Sequence, residues 1–159
     1  INNWINSKHW QETSVYYPNR YHTHFAVARA FGSGVPALKP ACDVIVKDII
    51  SNQNNDGSLE SKHYINNSDK VESTANALYA LLTLKKSGYD IEKKSIEKAI
   101  QYLLGQKKTN ADGTSFWDGG VYFSGGTCLR NILFWKSDAY TTALIISSLQ
   151  KYLESQKSI

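Results

Sequence analysis

Residues 43–60 read DVIVKDIISNQNNDGSLE, and residues 95–117 read SIEKAIQYLLGQKKTNADGTSFW. Each is an apolar-periodic segment ending in Gln, then a short polar stretch, then Asp-Gly. Ile49-Ile50 stand to Gln53 as Tyr102-Leu103 stand to Gln106. Asp56-Gly57 and Asp112-Gly113 follow. Self-similarity of this kind is the mark of stacked structural repeats.

A second element recurs between these segments. It reads RYHTHFAVARAF from Arg20, KVESTANALYALLTL from Lys70 and SDAYTTALIISSLQKYL from Ser137. Ala75, Leu78 and Leu82 with Ala77, Leu81 and Leu84 put apolar groups on almost every side of a helix, as a buried helix requires. The Gln-terminated segments carry a charged side instead: Lys47, Asp48, Glu92, Lys93, Lys94, Glu97 and Lys98. Gln53 and Gln106 lie 53 residues apart, and Thr23 and Thr74 lie 51 apart. One amphipathic and one buried helix per repeat predicts an all-α fold of stacked helical hairpins. Helices are expected over 21–31, 36–52, 70–87, 91–106 and 137–154. Gly32-Ser33-Gly34 and Ser87-Gly88 serve as stops, with Pro36 in a first turn. The last repeat carries an insertion, so 107–136 is read as a long loop or small β-hairpin, with the hairpin itself placed within 117–128.

The chain of 159 residues suits a single domain, 1–159. Hydrophobic residues at 42% and charged residues at 20% exclude disorder and low complexity. A net charge of +4 is too mild to indicate nucleic acid, and no apolar run is long enough for a transmembrane segment. The chain starts at Ile1 and lacks Met, so a processed product or part of a longer chain is expected. Cys42 and Cys128 read as buried free thiols, with a disulfide as the alternative. A cytoplasmic setting is favoured, although a leader already removed leaves the compartment open. No His/Cys spacing suits zinc, and His22 and His24, two apart on a helix, do not share a face. No metal and no cofactor are expected.

The two Gln…Asp-Gly segments, each followed by a Thr-containing buried helix, resemble the Gln-Trp repeats of the α/α-toroid superfamily of terpenoid cyclases and protein prenyltransferases. Leu59 stands where the repeat has Trp, whereas Trp117 keeps the aromatic at a stretched spacing. The resemblance covers most of residues 20–155. It implies alternating inner and outer helices, with the inner-helix N-termini lining a central cavity. It also implies about half a ring, completed by a homodimer partner or by the remainder of a parent chain. The repeat residues themselves are read as stability devices: Gln supplies donors to helix-end carbonyls, and Gly supplies the turn.

Class II cyclases of that superfamily open an inner helix with Asp-x-Asp-Asp-Thr-Ala. The corresponding stretch is Lys70-Val71-Glu72-Ser73-Thr74-Ala75. The resemblance therefore places Glu72 as catalytic acid, with Asp69 beside it, for proton-initiated cyclisation of an apolar or prenyl substrate. Ser73 and Lys70 depart from the motif. The competing reading makes Glu72 a helix-start carboxylate favoured by the helix dipole. Substrate-binding candidates before the inner helices are Tyr21, His24, Trp117, Tyr122, Phe123, Trp135, Asp138 and Tyr140. Aromatic faces stabilise carbocations, and they equally stack on sugars. The alternative function is thus a non-catalytic toroid module that binds a protein partner or glycan through the aromatic loop 117–135.

Overall fold

The computed structural model describes residues 19–61, 69–126 and 132–157. The described chain is mostly helical. Its helices are α1 (Arg20–Gly32), α2 (Lys39–Asn52), α3 (Lys70–Lys86), α4 (Lys93–Gly105) and α5 (Asp138–Lys157). A 3-10 turn, Pro36–Leu38, leads into α2. All five expected helices are present, with ends displaced by at most three residues. Local chemistry sets those ends. The Asn19 side chain caps α1 by accepting from the Tyr21 backbone N–H at 3.0 Å. Positive-φ Gly34 and Gly88 turn the chain after α1 and α3, at φ 99° and 93°.

Twelve of the seventeen residues of α3 are buried, so this helix is the axis of the core. It packs against α1, α5 and α4, while α2 packs on α1. Thr83 Cγ2 comes within 2.8 Å of where a side chain on Gly32 would begin, which brings α1 and α3 close. The core joins Ile45 and Ile49 of α2 and Ile96, Ala99 and Leu103 of α4 to Leu78, Leu81 and Leu84 of α3. The far side of α5 leaves Ile146 and Leu153 exposed.

The sequence repeat is repeated in hydrogen bonds. Asp56 Oδ1 accepts from the N–H and hydroxyl of Ser58 at 2.9 and 2.7 Å, and Asp112 Oδ1 accepts from those of Thr114 at the same distances. Asn54 Nδ2 reaches Ser58 Oγ, and Asn110 Nδ2 reaches Thr114 Oγ1, both at 3.0 Å. The chain then passes over the first turns of the next helix, α3 or α5, in the same way. Leu59 N–H donates to Thr74 Oγ1 at 2.9 Å, and Trp117 N–H donates to Thr142 Oγ1 at 3.0 Å. Gln53 departs from expectation. It donates to the Gly57 carbonyl at 3.2 Å and, across to α4, to the Ser95 carbonyl at 2.9 Å, so it ties the end of α2 to α4.

The insertion in the last repeat forms two small antiparallel hairpins. Strands β1 (Lys108–Thr109) and β2 (Ser115–Phe116) flank the Asp-Gly turn. Strands β3 (Val121–Gly126) and β4 (Ile132–Lys136) pair with an irregularity between Val121 and Phe123. The hairpin expected within 117–128 is therefore longer, because β3 takes its partner from 132–136. Cys42 is a buried free thiol, its pKa pushed up to about 11 chiefly by burial, and Cys128 lies outside the described residues. Among the described residues, no helix is long and apolar enough to cross a membrane.

Candidate functional site

The N-terminal ends of α3 and α5 lie side by side, and residues 117–121 run over both. Trp117 fixes the start of this strap. Its indole N–H donates to the Leu103 carbonyl at 2.6 Å, and its ring is buried between the elements. Three successive backbone N–H groups then bind helix-start side chains. Gly119 donates to Asp138 Oδ1 at 2.6 Å, Gly120 to Thr141 Oγ1 at 3.3 Å and Val121 to Asp69 Oδ2 at 2.8 Å. Both glycines are required by close approach. A Cβ on Gly119 would enter the Ser137–Asp138 peptide, and one on Gly120 would lie 2.5 Å from Glu72 Oε2 and 3.2 Å from Asp69 Cγ.

Glu72 sits beneath this strap with no exposed surface. Among the described residues, neither carboxyl oxygen meets a hydrogen-bond partner at bonding geometry. The Asn76 amide, one turn on, donates instead to the Glu72 backbone carbonyl at 3.1 Å. Burial, and then the neighbouring Asp69 charge, raise the Glu72 pKa to about 8, against smaller lowering effects of Asn76 and Lys136. Glu72 is therefore mainly a neutral carboxylic acid at pH 7, beside a carboxylate that holds the strap. A helix-start Glu drawn only by the dipole would be exposed and ionised, and this one is neither.

Comparison with known protein families, with curated proteins and with solved structures finds no match for this chain.

The remaining candidates divide into three groups. Tyr122 and Tyr140 stack at 4.9 Å between ring centroids with 29° between planes, and the Tyr140 hydroxyl lies 3.4 Å from His22 Nδ1. These residues join the strap end of α5 to the start of α1. Phe123 and Trp135 face each other across the β3–β4 hairpin at 5.2 Å. Trp135 is 40% exposed and Leu133, two residues earlier on the same strand face, 49%. Tyr21 and His24 are turned away from this cluster. Both are buried, in edge contact at 5.4 Å, with the Tyr21 hydroxyl accepting from Arg20 Nη2 at 2.9 Å. His24 Nδ1 lies 3.8 Å from Asp48 Oδ2 of α2, but burial and then the Arg20 charge lower its pKa to about 3. The contact is therefore not an ion pair at neutral pH. Asp48 meets Arg20 at 3.6 Å instead.

The structure thus brings together Asp69, Glu72, Asp138, Tyr122 and Tyr140, with Phe123 and Trp135 on the adjoining hairpin. It places Trp117, Tyr21 and His24 in the core. Gly119, Gly120, Thr141 and His22 join the cluster without having been singled out as binding residues. The double glycine was the available signal for a close backbone approach. Among the described residues, no group of His, Cys, Asp and Glu is arranged to hold a metal ion. Two clefts, of about 420 and 500 Å³, lie elsewhere, and neither is lined by Glu72 or Asp69.

Proposed function

We propose that this chain is an α/α-toroid-type array of helical hairpins, akin to terpenoid-cyclase domains, acting as a non-catalytic module that binds an apolar protein partner through the β3–β4 hairpin. The observation that carries the reading is the position of Gly120. A proton donor to an alkene must place its O–H against the reacting carbon. Here a Cβ on Gly120 would lie 2.5 Å from Glu72 Oε2, so the strap crowds that carboxyl oxygen, and three N–H bonds hold the strap down. What the strap supports is the hairpin that follows it. That hairpin presents Leu133 and Trp135 side by side on one face, roughly half-exposed, above packed aromatic rings. A sugar platform wants a flat open ring with polar neighbours. Leu133 beside a tilted Trp–Phe pair favours an apolar protein surface.

The test is site-specific photo-crosslinking from position 133 in cells. One discrete partner should be captured, and Trp135→Ala should abolish the capture while leaving the melting temperature within a few degrees. Cyclic products from linear prenyl diphosphates or squalene-like substrates, lost in Glu72→Gln, would overturn the reading. They would restore the second one: proton-initiated cyclisation with Glu72 as acid, Asp69 as its neighbour and an apolar isoprenoid substrate. The observation favouring that alternative is the buried Glu72 carboxyl with its raised pKa, since strongly perturbed buried acids are concentrated at functional sites.

A further inference from the structure

Glu72 lies at the start of α3. Ten residues on, about 15 Å along the helix axis, a separate cleft opens between the last turns of α3 and α5 and the first turn of α4. Its volume is about 420 Å³, within the range of small-molecule sites. The floor is apolar, made by buried Leu82 and Ile96 with Tyr152. Among the described residues the rim is basic, with Lys85, Lys86, Lys93 and Lys151 against one acid, Glu154.

These lysines are not all explained by the helices they sit on. Lys85 and Lys86 complement the negative end of α3, and Lys85 is further committed to the Ile91 carbonyl at 3.0 Å. Lys93 is different. It opens α4, where a cation opposes the helix dipole, and its ion pair with Glu97 is an exposed contact at 3.4 Å. Lys151 stands within α5, over the Tyr79 ring at 4.9 Å. Burial and the facing Lys86 charge both make its protonated form harder to keep, with Glu154 acting the other way. Three elements thus bring like charges to the mouth of an apolar cleft, an arrangement that an anion would relieve.

We propose that this cleft binds an amphipathic anion, its carboxylate or phosphate headgroup between Lys86, Lys93 and Lys151 and its apolar tail on Leu82, Ile96 and Tyr152. Ammonium groups on flexible stems suit a compact headgroup, which they meet as point charges. The apolar floor lowers the local dielectric and strengthens that attraction. The site is independent of the hairpin face proposed above.

The test is calorimetry on the full chain with decyl phosphate below its micelle concentration, inorganic phosphate and decanol. Decyl phosphate should bind at least tenfold more tightly than either of the others. Lys86→Glu and Lys151→Glu should each weaken it at least tenfold with unchanged circular dichroism, and Lys47→Glu on α2 should have no effect. Flotation with phosphatidylserine vesicles against phosphatidylcholine vesicles distinguishes the sources. Selective flotation that decyl phosphate competes away assigns a lipid headgroup, and binding of soluble decyl phosphate alone assigns a free amphiphile. The proposal is overturned if phosphate or decanol alone binds as well as decyl phosphate, if the charge reversals leave affinity unchanged, or if none of the probes binds.

Discussion

Replacing Glu72 by Gln should stabilise the protein, and by an amount that grows with pH. The side chain is fully buried, and its pKa is raised from 4.5 to about 8, first by burial and then by Asp69. Below pH 4.5 the carboxyl is protonated in both folded and unfolded chains and contributes no pH-dependent difference. As pH rises from 4.5 to 8 the unfolded chain gives up the proton and the folded chain keeps it, so stability falls. The slope is about 1.4 kcal/mol per pH unit, or on the order of 5 kcal/mol over the interval. That is a large part of the stability of an ordinary domain, roughly 5–15 kcal/mol. Gln keeps the shape and stays neutral at every pH. The two proteins should therefore differ by a constant near pH 4, and by several kcal/mol more in favour of Gln at pH 8. Urea unfolding followed by circular dichroism at a series of pH values measures the gap, and titrating groups not coupled to Glu72 cancel in it. A gap that does not change with pH, or that turns against Gln as pH rises, would refute the claim that Glu72 is buried neutral.

Gly57→Ala and Gly113→Ala form a matched pair, since both residues have positive φ, 88° and 84°. Only at Gly57 would the added Cβ also collide with the Lys98 carbonyl, so that variant should lose about 3 kcal/mol or more, against about 1 kcal/mol for Gly113→Ala, by denaturant titration. Thr74→Val and Thr142→Val should each cost about 1–3 kcal/mol, because they leave the Leu59 and Trp117 N–H groups without their acceptors; serine at either position should recover most of the loss. In an NMR titration His24 should stay neutral until about pH 3. Its contribution to stability is present above the ordinary histidine pKa of about 6.5 and is lost as pH falls from there.

The five helices were legible because their signals are local. Periodic apolar residues, Ser-Gly stops and Pro36 act within a turn or two of where they stand. The turn was only half legible: Asp-Gly was plain, but the recurring Asn54–Ser58 and Asn110–Thr114 pairing was seen only through its hydrogen bonds. What sequence could not supply were meetings between distant residues. Gln53 stands at a helix end and reads as a cap of that helix, yet its second acceptor is Ser95, 42 residues away. Gly120 has no meaning until it is laid on Glu72. For the same reason Glu72, which the first turn of a helix would leave solvated, is buried by a strap that arrives from another repeat. The pairing of β3 with β4 was obscured because Ile132–Lys136, an apolar run rich in aromatics, reads equally well as loop or strand.

The account turns on whether the strap seals Glu72. Hydrogen exchange at the backbone amides of Gly119, Gly120 and Val121, read by NMR against the interior amides of α3, measures this directly. If the strap is closed as part of the core, the three amides exchange as slowly as those of Ala77 and Leu78, at rates that follow global unfolding. If they exchange instead at rates like those of the exposed turn at Gly113 and Thr114, the strap opens on its own, Glu72 becomes reachable, and the non-catalytic reading is contradicted.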